Sequence, residues 1–422
     1  MASKIRFGLI GCGAVASAHA AAISSLPNAE LVAVAGKSQE RLASFAEAWG
    51  LEGHADFRQL LHRDDIDAVG ICTPSGSHGD IAILAAEAGK HAIVEKPIEI
   101  ALAKADETLA AFRSRGLRLG VISQHRFDPD VVRLKALLDA GGLGRPVLAS
   151  ACVHWYRDQA YYDSGGWRGT WAGDGGGVLI NQGIHTVDLL LHLLGPVAEV
   201  AGHAATMTHE RMETEDTAVA LLRFACGALG TLSCTTSAYP GFPARIEIIG
   251  SAGSALLEGE ALTKLYRNKG DGSPGVNEAE DRQGQGVGAN EAEDRQGQGV
   301  GVNEAEERKG QGAGVSEAED RKGQGVGVNE AEERKGQGVG VNEAEDRKRQ
   351  GVGGGGSALR AGRQAFVRQY ADFIDAIVGQ REPAVTGEAG REALALVLDV
   401  YRSSQGATRS RREREHEGGE KR

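Results

Sequence analysis

The chain has few cysteines, and their positions do not suggest a disulfide framework. Its 422 residues contain five, with no C-x-x-C pair, at Cys12, Cys72, Cys152, Cys226 and Cys234. An odd number of scattered cysteines, most of them in apolar stretches, is typical of reduced thiols in the cytoplasm. No apolar run approaches the length that spans a bilayer. We therefore expect a cytoplasmic protein with no membrane partner.

An excess of positive charge is also missing. The net charge of −11 argues against nucleic acid as a partner, because phosphate binding needs basic patches. The length predicts two or three domains, and a hydrophobic content of 41% is enough for a sizeable core. Lys4 and Arg6 before a stretch of small residues resemble an export signal. Gly11 and Gly13 interrupt that stretch and favour a strand, a loop and a helix.

Strand and helix patterns alternate over residues 1–125. Apolar strand candidates occupy residues 5–10, 30–35, 66–72, 91–95 and 118–123, with helical stretches such as residues 80–88 and 104–114 between them. Short apolar runs separated by helices indicate parallel strands with crossover helices. We therefore predict an α/β domain with a doubly wound sheet.

Consecutive strands replace this alternation from about residue 147. Strand candidates at residues 147–155, 197–206, 217–224, 228–235 and 245–249 are interrupted by one strong helix at about residues 182–194. Strands joined by short turns indicate an open, mostly antiparallel sheet. Residues 126–270 and 357–408 are therefore predicted to form an α+β domain. The second face of its sheet needs cover, and we expect a homodimer or homotetramer built through it.

A thirteen-residue repeat separates the two parts of this domain. Six copies occupy residues 276–353, beginning with VNEAEDRQGQGVG, and carry −7 of the net charge of −11. No copy has an aromatic residue, so the repeats bury too little apolar surface to offset chain entropy. We predict a disordered insertion over residues 271–356, since a calcium-binding β-roll needs a glycine–aspartate pattern that is absent. The charged tail, residues 409–422, is predicted to fray.

A G-x-G-x-x-A motif directly follows the first strand candidate. It consists of Gly11, Cys12, Gly13, Ala14, Val15 and Ala16. In such a motif the first glycine makes a tight turn, the second lets the backbone approach a pyrophosphate, and the last small residue allows close helix–strand packing. The N-terminus of the next helix attracts the anion. Its context favours a dinucleotide-binding Rossmann domain over a glycine turn without a ligand.

The choice of cofactor depends on the residues that end the second strand. An acidic side chain there would bind the 2′-hydroxyl of a ribose. Here Gly36, Lys37 and Ser38 occupy this place, with Arg41 one turn later, so two cations can hold a 2′-phosphate. This pattern favours NADP over NAD. The alternative is that Lys37 and Arg41 are ordinary surface charges.

Thr73, Pro74 and His78 follow the strand candidate at residues 66–72. The carboxyl end of a central parallel strand is the edge at which ligands bind. Pro74 could pack on a dinucleotide and His78 could contact it. The alternative is a turn and a helix start capped by Ser77.

Glu95, Lys96 and Pro97 end the strand candidate at residues 91–95. A lysine at the carboxyl end of such a strand points into the crevice where open α/β sheets bind ligands. Desolvation there allows a lysine to take part in proton transfer near neutral pH. Lys96, with Glu95 beside it, therefore predicts an enzyme with its cofactor at this edge.

A polar stripe marks the predicted helix at residues 182–194. Asn181 and His185 are four residues apart and Asp188 is three further on, so the three would share one helical face in an apolar segment. A polar stripe on a buried helix must meet partners or a cavity, and a histidine can accept a hydroxyl proton. The alternative is a satisfied core histidine. We expect no metal at His185, Asp188 and His192, because a lysine-based hydride site needs none.

Taken in this order, the residues resemble the Gfo/Idh/MocA oxidoreductase family. The resemblance covers residues 4–408 except the repeats, and it depends on the glycine fingerprint, Thr73-Pro74, Glu95-Lys96-Pro97, residues 175–177 with His185 and Asp188, and residues 383–390 and 401–403. It implies a Rossmann domain, an open sheet through which oligomers form, and hydride transfer between NAD(P) and a sugar or cyclitol hydroxyl.

The resemblance also implies roles for single residues. The family's catalytic lysine falls on Lys96 and its histidine on His185, with His185 removing the hydroxyl proton while hydride passes to the nicotinamide. Its frequent aspartate four residues before the histidine is Asn181 here, which removes a negative charge. A subgroup similar to nucleotide-sugar dehydrogenases also carries asparagine there and a segment like residues 123–127, which favours a hexopyranoside substrate.

Candidate substrate residues are arginines and aromatics of the second domain, namely Arg126, Tyr156, Arg157, Trp167 and Arg168. Aromatic rings stack on sugar faces and arginines bind carboxylate or phosphate, which favours an acidic or phosphorylated sugar. The alternative is ordinary packing with surface arginines. Two other functions fit the fold: a redox-neutral glycosidase that retains its cofactor, and a non-catalytic dinucleotide sensor, which would need neither Lys96 nor His185.

Overall fold

A computed structural model describes residues 4–268 and 357–419, and the side chains of residues 4–268 and 364–406. The predicted repeat insertion, residues 271–356, lies outside the described residues. Among the helices of the described part, none has the length and apolarity needed to cross a bilayer.

The first sheet contains six strands, which are β1 (Ile5–Ile10), β2 (Ala29–Ala35), β3 (Glu52–His54), β4 (Ala68–Ile71), β5 (His91–Val94) and β6 (Leu119–Val121). Five helices alternate with them, namely α1 (Ala16–Ser24), α2 (Gln39–Trp49), α3 (Phe57–Leu61), α4 (His78–Glu87) and α5 (Leu102–Arg113). All the strands are parallel, in the order β3-β2-β1-β4-β5-β6. This order confirms the predicted Rossmann domain.

One strand of this sheet, β3, is absent from the predicted set. It has three residues at the sheet edge, and Glu52 and Gly53 are exposed. A strand without an apolar run has no periodic signal in the sequence.

The second part of the chain begins with α6 (Pro129–Asp139) and continues through β7 (Pro146–His154), α7 (Gln159–Asp163), α8 (Val178–Asn181), α9 (Ile184–Leu194), β8 (Val197–Ala205), β9 (Thr217–Phe224), β10 (Leu229–Thr235), β11 (Arg245–Gly250), β12 (Gly253–Glu258) and β13 (Ala261–Arg267). The seven strands form a sheet in the order β13-β12-β11-β7-β10-β9-β8. Only the pair β7–β10 is parallel among these strands. The predicted open, mostly antiparallel sheet is thus confirmed.

The two faces of the second sheet differ. Along β9 the side chains alternate, with Ala218, Ala220 and Leu222 buried while Val219 and Leu221 are exposed. Helix α9 contacts β7 on the covered side. The opposite face has no cover from the described residues.

Two further helices, α10 (Ser357–Val378) and α11 (Gly387–Gly419), return from the repeat region. Tyr370 and Phe373 of α10 lie in one core cluster with Phe7 and Ile93 of the first sheet. Helix α11 contacts β8 and α9 of the second domain. The sequence assigned residues 357–408 to the second domain as a whole, but only packing shows that α10 shares the core of the first.

The tail is helical as far as Gly419, whereas the sequence predicted that residues 409–422 fray. Arginine and glutamate alternate in this segment at separations of three and four residues.

Candidate active site

The predicted cofactor residues meet at one edge of the first sheet. β1 lies between β2 and β4, and the loops after β1, β2, β4 and β5 begin at Gly11, Gly36, Cys72 and Glu95. Because these strands are parallel, their loops meet at the carboxyl edge where the strand order reverses. Such a point is where open α/β sheets bind ligands.

Gly11 shapes the turn after β1. Its φ of +114° suits glycine alone, and a Cβ there would lie 2.4 Å from the carbonyl oxygen of Cys72. A Cβ on Gly13 would instead face space that no described residue fills. Val15 precedes α1 without a side-chain cap, and the N–H groups of Ala16 and Ala18 donate to the carbonyls of Gly13 and Val15 at 3.1 and 2.9 Å. The segment from Gly11 to the buried Ala16 therefore fits a dinucleotide pyrophosphate.

The three residues predicted to select the cofactor, Lys37, Ser38 and Arg41, are all exposed. The Ser38 hydroxyl accepts a hydrogen bond from the N–H of Arg41 at 3.4 Å and so caps α2. The first acidic residue after β2 is Glu40, which is exposed in the first turn of α2. Among the described residues, neither Lys37 nor Arg41 forms an ion pair.

His78 is buried and joins two loops of this edge. Its Nδ1 lies 2.7 Å from the carbonyl oxygen of Pro97, and its Nε2 lies 2.7 Å from that of Thr73. Both ring nitrogens are therefore used by the protein, and neither is left for a cofactor. Ser77 gives α4 no side-chain cap, because its hydroxyl donates to the Pro74 carbonyl at 2.7 Å. Pro74 itself is exposed.

Glu95 is buried beneath Lys96. Its Oε1 lies 3.0 Å from Nε2 of His19, a residue of α1, and its Oε2 accepts from the N–H of Lys96 at 3.1 Å. Burial raises the pKa of Glu95, but the hydrogen bond and charge of His19, with the charges of Lys96 and His78, outweigh it and lower the pKa. The carboxylate thus ties the Lys96 loop to the fingerprint helix rather than facing the crevice.

Lys96 reaches from the first domain to the second. Its Nζ donates to the backbone carbonyl of Asn181 at 2.8 Å. Lys96, Ser123, His185 and Asp188 line one small cavity between the domains. The fold therefore brings Lys96 and His185 together, although 88 residues separate them in the chain.

Asn181 and His185 lie on two different helices. α8 ends at Asn181 and α9 begins at Ile184, with Gly183 in the turn between them. A Cβ on Gly183 would lie 2.8 Å from the Leu179 carbonyl oxygen and 2.9 Å from Cys234 Sγ. The prediction that all three residues share one helix is wrong for Asn181, whereas His185 and Asp188 lie together on α9 and line one cavity.

The Asn181 side chain is held by Asp174, which was not among the predicted site residues. Its Nδ2 donates to the two carboxylate oxygens of Asp174 at 2.9 and 3.1 Å. Burial raises the pKa of Asp174, against the opposing hydrogen bonds of Gly169 and Asn181 and the charges of Lys96 and Arg168. A carboxyl group therefore does stand beside Lys96, at position 174 rather than 181.

His185 is the second titratable group beside Lys96. Its ring meets His125 edge-on, with ring centres 5.3 Å apart and planes at 86°. Burial, followed by the positive charges of Lys96 and His125, holds the pKa of His185 well below its ordinary value. The imidazole is therefore neutral near pH 7 and able to accept a proton.

Asp188 and Arg126 pair with each other. Nε and Nη2 of Arg126 donate to the two carboxylate oxygens of Asp188 at 2.8 and 2.7 Å. Asp188 is 2% exposed, and its pair joins α9 to the turn after β6. Neither residue keeps an uncompensated charge for a substrate.

His125 is another site residue that the prediction missed. It follows β6 at the same sheet edge, which was a usable signal, and its Nδ1 lies 2.9 Å from Asp128 Oδ2. His125, Asp128 and Glu260 form the one group of potential metal ligands within 4.8 Å of one another in the described part of the chain. Because His125 and Asp128 hydrogen-bond each other, the group is explained without a metal.

The remaining predicted substrate residues lie on the second domain around Tyr161. The Arg157 and Arg168 guanidinium carbons lie 5.2 and 4.7 Å from the centre of the Tyr161 ring. Trp167 packs under Arg168 at 5.0 Å. Tyr156 lies apart from these rings, edge-on to Tyr239 at 5.2 Å.

Two family models match the chain. Residues 5–123 match the model described as the oxidoreductase family with an NAD-binding Rossmann fold. Residues 131–256 match the model described as the GFO/IDH/MocA C-terminal domain. Together the two models span the first sheet and strands β7 to β11 of the second.

Relatives and solved structures agree with these matches. The chain is 31% identical to scyllo-inositol 2-dehydrogenase (NAD(+)) of Bacillus subtilis over 61% of this chain and 75% of that one. It is 29% identical to myo-inositol 2-dehydrogenase of Thermotoga maritima over 63% and 80% of the two chains. The WlbA dehydrogenase of Bordetella pertussis, solved with NADH and UDP-GlcNAcA, is 28% identical and covers 95% and 97%, with a TM-score of 0.70.

Proposed function

Because the chain belongs to the Gfo/Idh/MocA family of NAD-binding oxidoreductases, we propose that it transfers hydride between NAD(P) and a hydroxyl or keto group of a sugar or cyclitol, with Lys96 and His185 as catalytic residues. The observation that carries this proposal is the meeting of Lys96 and His185 in one cavity at the carboxyl edge of the dinucleotide-binding sheet. When bound, the dinucleotide supplies the nicotinamide carbon that accepts or donates the hydride.

His185 acts as the proton acceptor during oxidation. Its imidazole is neutral because its pKa is held well below the ordinary value, so it can take the hydroxyl proton as the carbon loses hydride. No hydrogen bond to another described residue occupies the ring. The proton therefore moves from the substrate oxygen to a ring nitrogen of His185.

Lys96 orients the hydroxyl and stabilises negative charge that develops on its oxygen. An ammonium group has three N–H donors, and the Asn181 carbonyl takes one of them at 2.8 Å. The other donors are left for the substrate oxygen, and the fixed contact holds them in place before the reaction. Such preorganised donors lower the barrier because they need no rearrangement in the transition state.

Replacement of Lys96 by alanine tests the assignment. We expect kcat to fall by about 100-fold or more, while NADH still binds, as measured by quenching of protein fluorescence. Lys104→Ala is the matched control, because Lys104 pairs with Asp80 and Glu107 on the surface. Near-normal turnover in Lys96→Ala, with the true substrate, would show that the assignment is wrong.

The proposed cofactor preference is for NADP. Lys37 and Arg41 are exposed, unpaired cations beside the end of β2, suited to a 2′-phosphate. The double variant Lys37→Ala/Arg41→Ala should lower kcat/KM with NADP by about tenfold or more and leave that with NAD nearly unchanged. A wild-type preference for NAD, unaffected by the double variant, would contradict this choice.

The proposed substrate is a hexopyranoside, including nucleotide sugars, or a chemically similar cyclitol. The support comes from relatives named for inositol and from the WlbA structure with a nucleotide sugar. A screen of sugars, sugar acids, nucleotide sugars and cyclitols with both cofactors, by absorbance of the reduced nicotinamide, identifies the substrate. Net NADPH or NADH formation separates a dehydrogenase from a redox-neutral glycosidase.

The proposed assembly is a homodimer or homotetramer formed through the open sheet face. Val219, Leu221 and Leu229 are 48, 64 and 57% exposed on that face, and an apolar patch of this kind marks an interface. Sedimentation should give an oligomer, and Leu221→Arg should shift it to a monomer. Val132→Arg, on an exposed part of α6, is the control that should leave the oligomer intact.

A further inference from the structure

Two arginines of the second domain carry charge that the protein does not neutralise. They are Arg157 and Arg168, which flank the ring of Tyr161. We infer that these guanidinium groups bind an anionic group of the substrate, a carboxylate or a phosphate. This inference rests on the proposed function and names the class of sugar that the site takes.

The arginines are held in place by aromatic rings rather than by acids. Arg157 lies 5.7 Å from the Trp155 ring and 5.2 Å from the Tyr161 ring. Arg168 lies 4.7 Å from the Tyr161 ring and 5.0 Å from the Trp167 ring. Stacking uses the flat faces of a guanidinium and leaves the N–H groups on its edge free to donate.

Few of those edge donors have partners. Arg157 Nη1 donates to the Tyr156 carbonyl at 3.0 Å, and Arg168 Nη1 donates to the Ser164 hydroxyl at 2.8 Å. The Nε atoms of both arginines are buried and have no hydrogen-bond partner within the described structure. A buried donor without a partner costs free energy, which a ligand acceptor would recover.

The nearby carboxylates are occupied elsewhere. Asp158 caps α7 by accepting from the N–H of Tyr161 at 2.8 Å. Asp163 pairs with Arg211 at 2.7 Å, and Asp174 accepts from Asn181. No carboxylate of the described residues lies within 4.0 Å of Arg157 or Arg168. Neither guanidinium is therefore neutralised by a carboxylate of the described residues.

One hydrogen bond links Tyr161, the ring beside both arginines, to the segment that holds Lys96. The Tyr161 hydroxyl lies 3.2 Å from Nε2 of Gln182, which follows Asn181, the residue that holds Lys96. Gln182 is 5% exposed, and its Oε1 has no partner among the described residues. If the amide is reversed, the unpartnered atom is Nε2 instead. In either orientation one buried amide atom remains for a substrate.

Charge also places Arg168 near the reacting end of the site. Lys96 and Arg168 both act on the pKa of Asp174, and both lower it against the effect of burial. The Asp174 carboxyl group is thus within electrostatic range of both the catalytic lysine and Arg168. A sugar whose hydroxyl is at Lys96 would point its anionic substituent towards Arg157 and Arg168.

Matched sugars test the inference. Wild-type enzyme is assayed with D-glucose, D-glucuronate and D-glucose 6-phosphate, and with UDP-glucose and UDP-glucuronate. We expect D-glucuronate or D-glucose 6-phosphate to exceed D-glucose in kcat/KM, or UDP-glucuronate to exceed UDP-glucose. Activity with the uronates identifies a carboxylate, and activity with the hexose phosphate identifies a phosphate.

Substitutions then locate the anion. Arg157→Gln and Arg168→Gln should each lower kcat/KM for the anionic substrate by about 10- to 100-fold, and by a clearly larger factor than for the neutral sugar. Arg168→Lys should recover part of the loss. The control is Arg58→Gln, because Arg58 also stacks on an aromatic ring, at 4.9 Å from Phe57, but lies in the first domain.

Two results would overturn the inference. The first is a neutral sugar as best substrate, with equal effects of the arginine variants on neutral and anionic sugars; the proposed function would then stand without it. The second result concerns binding, and it is needed if no sugar is oxidised. Failure to oxidise any sugar would count against the proposed function itself. Calorimetry with D-glucuronate and D-glucose 6-phosphate then decides, and binding that is absent or equal in wild type and Arg168→Gln overturns the inference.

Discussion

At the scale of single residues, the positive charge of Lys96 lowers the pKa of His185. Burial comes first in lowering the pKa of His185, and the positive charges of Lys96 and His125 follow. Like charges disfavour the imidazolium, so each cation helps keep His185 neutral. The two catalytic candidates are thus coupled, and a change at one should be measurable at the other.

Lys96→Met should raise the pKa of His185 towards its ordinary value, because one positive neighbour is removed while burial remains. The measurement is an NMR titration of the His185 ring carbon, assigned with His185→Asn. Lys104→Met, on the surface, should leave the titration unchanged. An unchanged pKa of His185 in Lys96→Met would mean that the charge of Lys96 does not contribute to it.

Asp174 and Asn181 form a second coupled pair at the residue scale. The Asn181→Asp variant would bring two carboxylates to the 2.9 Å separation now spanned by a hydrogen bond, so we expect lower stability at pH 8 than at pH 5. The swapped variant Asp174→Asn/Asn181→Asp restores one donor and one acceptor. Urea unfolding of the four proteins should give a coupling free energy of about 1–3 kcal/mol.

If the two single substitutions lower the free energy of unfolding additively in the double variant, Asp174 and Asn181 are not coupled. Activity offers a second measurement. The swapped variant keeps one carboxyl group beside Lys96, whereas Asp174→Asn removes that group and Asn181→Asp adds a second one. We expect the swapped variant to keep more kcat than Asp174→Asn alone.

The break between α8 and α9 is the decisive feature at the scale of elements. It places Asn181 at a helix end, where its carbonyl is free of the helix and accepts from Lys96. Gly183 allows this break, since any side chain there would collide with the Leu179 carbonyl oxygen and with Cys234. The local packing of one glycine thus positions the catalytic lysine.

Gly183→Ala should reduce the free energy of unfolding by about 1–3 kcal/mol, because the added methyl group overpacks a tight site. Its kcat should also fall, since the Asn181 carbonyl would move. Gly406→Ala is the control of opposite sign: its Cβ would meet nothing, and α11 should gain up to about 1 kcal/mol. Equal stabilities for Gly183→Ala and wild type would refute the packing explanation.

Element prediction succeeded where apolar runs were strong and failed where they were not. The predicted strands of the first sheet correspond to β1, β2, β4, β5 and β6. β12 and β13 were missed; their pairing shifts register between Leu256 and Leu257, so the alternation is visible only beside the partner strand. A helix break at a residue such as Gly183 is equally difficult to predict from the sequence. A glycine in a helical pattern can lie within the helix, allow close packing or mark the helix end.

At the scale of the whole molecule, hydrogen bonds through Glu215 join α11 to the segment that leads to Asn181. The Tyr401 hydroxyl donates at 2.8 Å to Glu215, whose carboxyl also accepts from the N–H groups of Gly177 and Leu179. Burial raises the pKa of Glu215 to about 7, against these hydrogen bonds. The C-terminal helix thus supports the segment that leads to Asn181.

This carboxyl makes stability depend on pH. The folded protein holds the Glu215 proton more tightly than the unfolded chain does, for which the ordinary pKa is 4.5. Its stabilising contribution is therefore full below about pH 4.5 and is lost as pH rises towards 7. A hydrogen bond to the ionised form is stronger than one to the neutral form.

Tyr401→Phe should therefore lower the free energy of unfolding by about 1.5–3 kcal/mol at pH 8 and by about 0.5–1.5 kcal/mol at pH 5. Tyr162→Phe is the matched control, because the Tyr162 hydroxyl bonds the neutral Thr236 hydroxyl at 2.8 Å. Its cost should be the same at both pH values. Urea unfolding of both variants supplies the comparison, and a loss independent of pH in Tyr401→Phe would contradict the role of Glu215.

The sequence by itself determined what local signals encode: the parallel first sheet, the open second sheet, the nucleotide fingerprint and the family. It also identified Lys96 and His185 as candidates. Only the tertiary structure decided that α10 shares the first core, that Asn181 and His185 lie on separate helices, and that Arg126 and Asp188 neutralise each other. It alone brought in Asp174, His125 and Glu215. Hydrogen bonds, charge and close packing act between atoms that are near in space, and residue order along the chain does not reveal that proximity.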